Sequence, residues 1–477
     1  MAFNSTAYLA LLAAVVTAFW LLPPAFRRGF VLLASIAFYA TWGLQLAWLP
    51  LVIASVVYIA GQRIATGRTE ARHWMRLGVL FLLALLVVFK YRGFLTTNLQ
   101  ALGIFRGIVP PFWLVSIVFP VGISFSTFEA IAYLVDLRQG RVKMPGFFDL
   151  CLFFFFWPNV LSGPIVRARE LLPQLKFQKT FEPRFVFEGM DRLVWGLVQK
   201  NVIANLLGVW VDRGFALNRE SAHSTVDAWC LAIAFALQIY FDFSAYTNMA
   251  IGAAKLLGVT LPENFRQPYH AATPPEFWAR WHMTLSRWVR DYLFFPINAK
   301  YSGAPMPLYL SLLGVMALVG LWHGAGWGFL VWGVLHGIYL VLYRIYESWR
   351  NAEPGIAQSP VAALFWRVFT LAAATAAWVP FRAASLQSAG NILASMFYRM
   401  SAAARFGGGF YLFVAGVAGF CAVEPWLMEK LSQFDEQAGV EGLSVFRVLV
   451  RPMAYAFGLL LFLVFDEHNT QFIYSQF

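Results

Sequence analysis

Two histidines are the residues of this chain best suited to acid–base chemistry: His282, in PPEFWARWHMTLSRWVRDYLFFP (274–296), and His323, in GLWHGAGWGF (320–329). Imidazole, with a reference pKa of about 6.5, is matched to taking and returning a proton near neutral pH. Group transfer to a hydroxyl needs such a base, and it needs donors that stabilise any oxyanion that develops. The glycine-rich backbone at 324–328 or the second histidine are candidates for those donors. No serine or cysteine nucleophile motif accompanies them, and the G-x-S-x-G elbow of a hydrolase is absent.

The element that must position His282 begins at Thr273-Pro-Pro-Glu276, which has the form of a helix N-terminus: a Thr cap, Pro at the first position and Glu three residues on. At about 100° per residue, Phe277, Trp278, Trp281, Leu285, Trp288, Val289 and Tyr292 share one arc, and Glu276, Arg280, Arg287, Arg290 and Asp291 the opposite one. This pattern predicts an amphipathic helix over about 274–293 that lies along the membrane interface and does not span. His282 falls at the edge of the apolar arc. Two readings are open for it: an imidazole facing a cavity, or a boundary histidine bonded to a backbone carbonyl. The arginines either attract an anionic donor or line the polar face at the membrane surface.

His323 follows the apolar run 308–321 and precedes Gly324, Gly326 and Gly328, small residues that permit close backbone approach and remove side-chain cover. An ionisable group inside a membrane is a functional hypothesis by default, against which stands a helix-packing histidine with a satisfied partner. On an unbroken helix His336 would be turned about 140° from His323. It is expected to pack elsewhere or to support from behind. His73, His223, His270 and His468 read as loop or interfacial residues. A third polar group, Gln238, Asp242, Ser244, Tyr246 and Asn248, interrupts an apolar run. Asp242 either orients a histidine, accepts from Arg266, or belongs to a structural ion pair. Glu129 is a further intramembrane acid with no partner assignable from sequence.

The rest of the chain fits a membrane setting. Of 477 residues 60% are apolar and 13% charged, and the 47 Phe and 19 Trp suit a lipid-facing shell with interfacial belts. The net charge of +12 does not point to nucleic acid, because the basic residues are dispersed among short loops. Positive-inside topology accounts for them, placing Arg27, Arg28, Arg63, Arg68, Arg72 and Arg76 in the cytoplasm and the N-terminus outside. The first apolar run, 8–22, lacks a basic leader region and reads as a span. Cys151, Cys230 and Cys421 offer neither a disulfide framework nor metal-ligand spacing. Apolar runs near 8–22, 30–41, 46–60, 77–89, 112–135, 185–210, 226–257, 306–321, 328–343, 361–380, 407–428 and 446–465 give on the order of eleven or twelve membrane segments. The interrupted stretch CLFFFFWPNVLSGPI (151–165) is either a re-entrant segment lining a cavity or a short interfacial loop. No internal repeat appears, and one domain over 1–477 is expected.

The sequence resembles the membrane-bound O-acyltransferases, in particular the bacterial branch with the membrane subunit of alginate O-acetylation and the D-alanine exporter of teichoic acid modification. The resemblance rests on FSTFEAIAYLVDLRQG, LSGPIVRARELLPQL, QIYFDFSAYTNMAIGAAKLLG, LPENFRQPY, EFWARWHMTLSRWVRDYLFFP, GLWHGAGWGFLVWGVLHG and the closing FIYSQF. These span about 120–343 and the last residues; from about 344 to 470 the likeness is weak. It implies an all-α, polytopic fold, a ring of tilted spans with funnels from both sides meeting near the histidines. It also implies that His282 and His323 form the catalytic pair, His323 holding the more strictly required position: in acyl transfer from a thioester to a hydroxyl, His323 would be the general base, and His282 would position the acyl donor or polarise its carbonyl. Asp242, Asn264, Trp281, Trp322, Arg280 and Asp291 are carried over as supporting or substrate-binding residues, with no metal. Ala245, Asn248 and Glu129 depart from the family pattern, where Gly, Asp and Gln are common.

The same branch implies an acetyl group drawn from acetyl-CoA or another cytoplasmic acyl thioester, bound as substrate rather than as a permanent cofactor. The group would pass through the bacterial inner membrane to an exported polysaccharide, with a periplasmic acetyltransferase as partner. The competing class is a proton-coupled transporter or lipid flippase with His, Asp242 and Glu129 as a relay. Such a protein should show paired broken helices in two halves, and the sequence shows none.

Overall fold

Lipid offers no hydrogen-bonding partner to a peptide group, so so apolar a chain crosses a membrane only as elements that pair their backbone internally. The computed structural model is accordingly helical, with no strand among the described residues, which are all except 44–45, 68, 105–121, 161–162, 218–222, 300–304, 353–358, 399–404, 438–449 and 466–477. Among them, eight helices are long and apolar enough to cross a membrane: Trp48–Thr66, Ala71–Ala101, Pro183–Ala216, Thr225–Leu256, Pro305–His323, Trp327–Asn351, Pro360–Arg382 and Gly408–Leu427. Thr6–Leu21 and Arg451–Phe465 are shorter apolar helices. The protein is an all-α, multi-pass membrane protein. The expected run 30–41 lies in and just beyond helix Pro24–Ala40, and of 112–135 only the part in helix Ile123–Arg138 is described. His468 and the closing FIYSQF lie outside the described residues.

The chain folds into two compact units, Met1–Leu193 with Tyr246–Pro262 and Val194–Ala245 with Glu263–Phe477. The sequence, read as one domain over 1–477, does not mark this subdivision. In the first unit, helices Pro24–Ala40, Trp48–Thr66, Ala71–Leu86, Ile123–Arg138 and Phe147–Phe155 pack through shared contacts. The interrupted stretch leaves helix Phe147–Phe155 at Phe156, makes one turn at Trp157–Val160 and runs on without regular structure from Gly163 to Arg167. Residues 150–160 and 163–168 are all buried. Irregular backbone in such a place must find its partners in the protein. Glu129 supplies them: its Oε1 accepts from Asn159 Nδ2 at 2.7 Å and from the Val166 backbone N–H at 3.1 Å.

In the second unit, helices Pro305–His323 and Trp327–Ala352 form a hairpin whose backbones nearly touch. A Cβ at Gly333 would collide with the Met316 carbonyl oxygen, and one at Gly320 with the Phe329 carbonyl oxygen; each would also meet the other's Cα at 3.1 Å. Helix Pro360–Arg382 packs against the second arm. His323 is thus the last residue of a helix pinned by direct backbone approach.

Two substitutions test these supports. Glu129→Leu strands two buried donors and should destabilise the protein by about 1–3 kcal/mol per donor, whereas Glu129→Gln keeps an acceptor and should stay near wild type, read as melting temperature in detergent. Gly333→Val forces the hairpin apart and should cost roughly 1–3 kcal/mol or more in the same measurement.

Candidate active site

The segment bearing His282 opens as its sequence predicts, with Thr273 Oγ1 accepting from the Glu276 N–H at 3.3 Å and Glu276 Oε2 accepting from the Ala272 N–H at 2.7 Å. The continuous interfacial helix expected over about 274–293 is, however, interrupted. Helix Pro274–Arg280 ends at Trp281, His282 takes the left-handed conformation (φ 40°, ψ 54°), and a second helix, Met283–Val289, follows. An irregular strap around Asn264 captures the backbone groups that the break releases. The Arg266 N–H donates to the Arg280 carbonyl at 2.9 Å, and the Met283 N–H donates to the Asn264 carbonyl at 2.8 Å. The Asn264 side chain bridges the break, with Oδ1 3.2 Å from the Thr284 N, 2.8 Å from Thr284 Oγ1 and 3.0 Å from His282 Nδ1.

A left-handed non-glycine residue costs about 1–3 kcal/mol and persists only where its surroundings over-determine it. The break carries His282 from the edge of the apolar arc to complete burial, 0% exposed. The arcs themselves hold: Phe277, Trp278, Trp281, Leu285, Trp288 and Val289 are buried, while Arg287 and Arg290 are exposed. Burial pushes the pKa of His282, which lies outside the spanning helices, down to about 3. The ring is therefore neutral at physiological pH.

His323 is 2% exposed. Its ring centroid lies 6.3 Å from that of His282, 5.0 Å from Trp322, 5.0 Å from Trp332 and 5.7 Å from Phe381. Trp322 also approaches His282, at 6.2 Å. Trp281 stacks on Phe277 and packs against Trp378, behind the break. The space at Gly324 is filled by the Phe329 ring, so this glycine serves packing. The Gly324 and Gly326 amides donate to the Gly320 and Gly324 carbonyls at 3.4 and 3.0 Å. His336 sits on the second hairpin arm, 4.9 Å from Trp332 and 5.2 Å from Trp278. Because the helix ends between His323 and Trp327, continuous-helix geometry does not relate the two histidines.

The structure thus brings His282, His323, Trp281, Trp322 and Asn264 together. Asp242 pairs with Lys200, Nζ to Oδ1 2.6 Å, both side chains at most 2% exposed, and Arg266 is not its partner in this pair. Arg280 pairs with Glu276 at 2.7 Å and Asp291 with Arg290 at 3.0 Å, all partly exposed. The acids of the relay alternative are engaged by Lys200 and, for Glu129, by Asn159 and Val166. Sequence reasoning passed over Lys200, although a lone cation inside VWGLVQKNVIANLLG was a signal of a buried partner. It also passed over Trp332 and Phe381, which as aromatics in aromatic-rich helices carried no distinguishing mark.

A family model described as "MBOAT, membrane-bound O-acyltransferase family" matches residues 35–379. The chain is 37% identical over 402 residues to the probable alginate O-acetylase AlgI of Azotobacter vinelandii, covering 83% of this chain and 78% of that protein. It is 33% identical over 404 residues to the peptidoglycan O-acetyltransferase of Helicobacter pylori, covering 78% and 74%. With the teichoic acid D-alanyltransferase of Bacillus subtilis it shares 29% over 254 residues, covering 51% and 62%.

Removing one member of the Lys200–Asp242 pair leaves a buried charge without its counter-ion, so Lys200→Met should destabilise the protein by about 3–5 kcal/mol, and Lys200→Met with Asp242→Leu should recover much of that loss in a detergent thermal melt.

Proposed function

Since this chain belongs to the membrane-bound O-acyltransferase family and is an O-acyltransferase, we propose that it moves an acetyl group from a cytoplasmic thioester across the bacterial inner membrane for O-acetylation of an exported polysaccharide. The observation that carries the chemistry is the buried pair, His282 and His323, with ring centroids 6.3 Å apart. His323 takes the proton of the attacking hydroxyl as its oxygen bonds to the thioester carbonyl carbon. The carbon–sulfur bond then breaks, and the departing thiolate receives a proton to leave as a thiol. The Trp332 indole N–H is buried without an acceptor among the described residues, and its ring lies 5.0 Å from that of His323, which makes it a candidate donor to the oxyanion.

Acetyl-CoA is the proposed donor, a substrate rather than a resident cofactor. The names of the relatives from Azotobacter and Helicobacter favour acetyl over other acyl groups and a polysaccharide over a lipid as final acceptor. A periplasmic acetyltransferase is the proposed partner on the far side. The ion pairs of Arg280 and Arg290 favour surface lining over donor attraction for these arginines.

The test supplies acetyl-CoA labelled in the acetyl group to membranes containing the protein and follows label into extracytoplasmic polymer. His323→Ala, expressed and folded as wild type, should lower incorporation by about 10²- to 10⁴-fold. Wild-type incorporation by that variant would sink the assignment of His323 as the base.

A further inference from the structure

The hydrogen bonds around Asn264 fix the position of a proton on His282. The Thr284 backbone N–H can only donate, and it lies 3.2 Å from one terminal atom of the Asn264 amide, so that atom is the oxygen, Oδ1. The Thr284 hydroxyl donates to the same atom at 2.8 Å. His282 Nδ1 stands 3.0 Å from it. An amide oxygen has no proton to give, so the hydrogen of this contact belongs to Nδ1. A neutral imidazole holds a single ring proton, and with that proton on Nδ1 the other nitrogen, Nε2, carries none. Phe243, edge-on at 4.8 Å, and Phe265, at 6.4 Å, flank the ring and oppose the flip that would exchange the two nitrogens. The completely buried setting favours the neutral form.

We propose that Asn264 is a positioning residue that locks His282 in its Nδ1–H tautomer and thereby makes Nε2 a proton acceptor. A neutral His282 so held cannot polarise an acyl carbonyl by donating to it, which removes one of the two roles its sequence setting allows. Its part in the reaction is to accept a hydrogen bond at Nε2 from the hydroxyl or imidazolium beside it. That catalytic consequence rests on the acyl-transfer reading; the tautomer itself does not.

The full-length protein, labelled with ¹⁵N at its histidine rings and held in lipid nanodiscs, provides a readout independent of turnover. Only seven histidines contribute, and the His282→Asn spectrum identifies the resonances of His282 by difference. Wild type should show a protonated Nδ1 and an unprotonated Nε2, Asn264→Asp should keep that pattern, and Asn264→Leu should lose it. In acetyl transfer, Asn264→Leu should lower kcat about 100-fold with little change in KM for the donor. Asn264→Asp should retain most activity and move the acid limb of the pH profile upward, because a carboxylate favours the imidazolium. With His282→Ala in place, Asn264→Leu should cost nothing further. A protonated Nε2 in wild type, or an unaltered tautomer in folded Asn264→Leu, would overturn the lock. If Asn264→Leu does not fold, the wild-type spectrum and the pH shift of Asn264→Asp decide. Undiminished transfer by His282→Ala would instead overturn the catalytic consequence, leaving the spectrum to judge the tautomer.

Discussion

One side-chain oxygen, Asn264 Oδ1, stands within hydrogen-bonding distance of three groups at and just beyond a break in the helical chain, and the shape of the site follows from it. Left to itself, the segment after Thr273 would continue as a single helix, with His282 at the edge of its apolar arc. The oxygen, with the two backbone bonds of the same strap, makes a left-handed residue tolerable where a side chain ordinarily forbids it. The local cost is met by bonds that a straight helix would not form. In exchange, a titratable ring is carried out of the boundary and into the aromatic interior, in one orientation.

Two further buried polar groups follow the same rule, answered by protein partners. Glu129 serves the irregular stretch of the first unit, and Lys200 with Asp242 form a buried ion pair in the second. In water these arrangements would gain little over hydration, but in a low-dielectric setting an unanswered group is the costlier outcome. The aromatic residues around His323 form the apolar counterpart. Trp332 touches His323 on one side and His336 on the other, and it stacks on Trp378, so the ring of the proposed base is held by large, rigid neighbours rather than by flexible ones.

Much of this was legible in the sequence, and the illegible parts have physical causes. Apolar runs of suitable length announced the spanning helices, and the Thr273 cap announced the start of the segment bearing His282. The arcs of that segment also came through, because the break, confined to Trp281 and His282, does not mix the faces of the helices on either side. The break itself was invisible for the same reason: Trp281, Leu285 and Trp288 keep helical spacing across it, and the residue that enforces it, Asn264, lies on a separate strap. The partner of Asp242 was hidden by distance, since Lys200 stands 42 residues earlier on another helix and periodicity says nothing about which helices meet. The approach of His282 to His323 was expected from family motifs alone. No local pattern links an end of one helix to a break in another.

The near contact of backbones at Gly320 and Gly333 has a consequence for how such a site tolerates change. Where two helices touch through main-chain atoms, their spacing is set by covalent geometry, and no rotamer adjustment elsewhere alters it. The main chain of His323, at the tip of that hairpin, is therefore placed independently of the side chains that surround its ring. A scaffold of this kind separates two problems that most enzymes must solve together: holding the base, and shaping its surroundings. Mutational drift among the surrounding aromatics can reshape what the site accepts, one side chain at a time, while the main chain that carries the proposed base stands still.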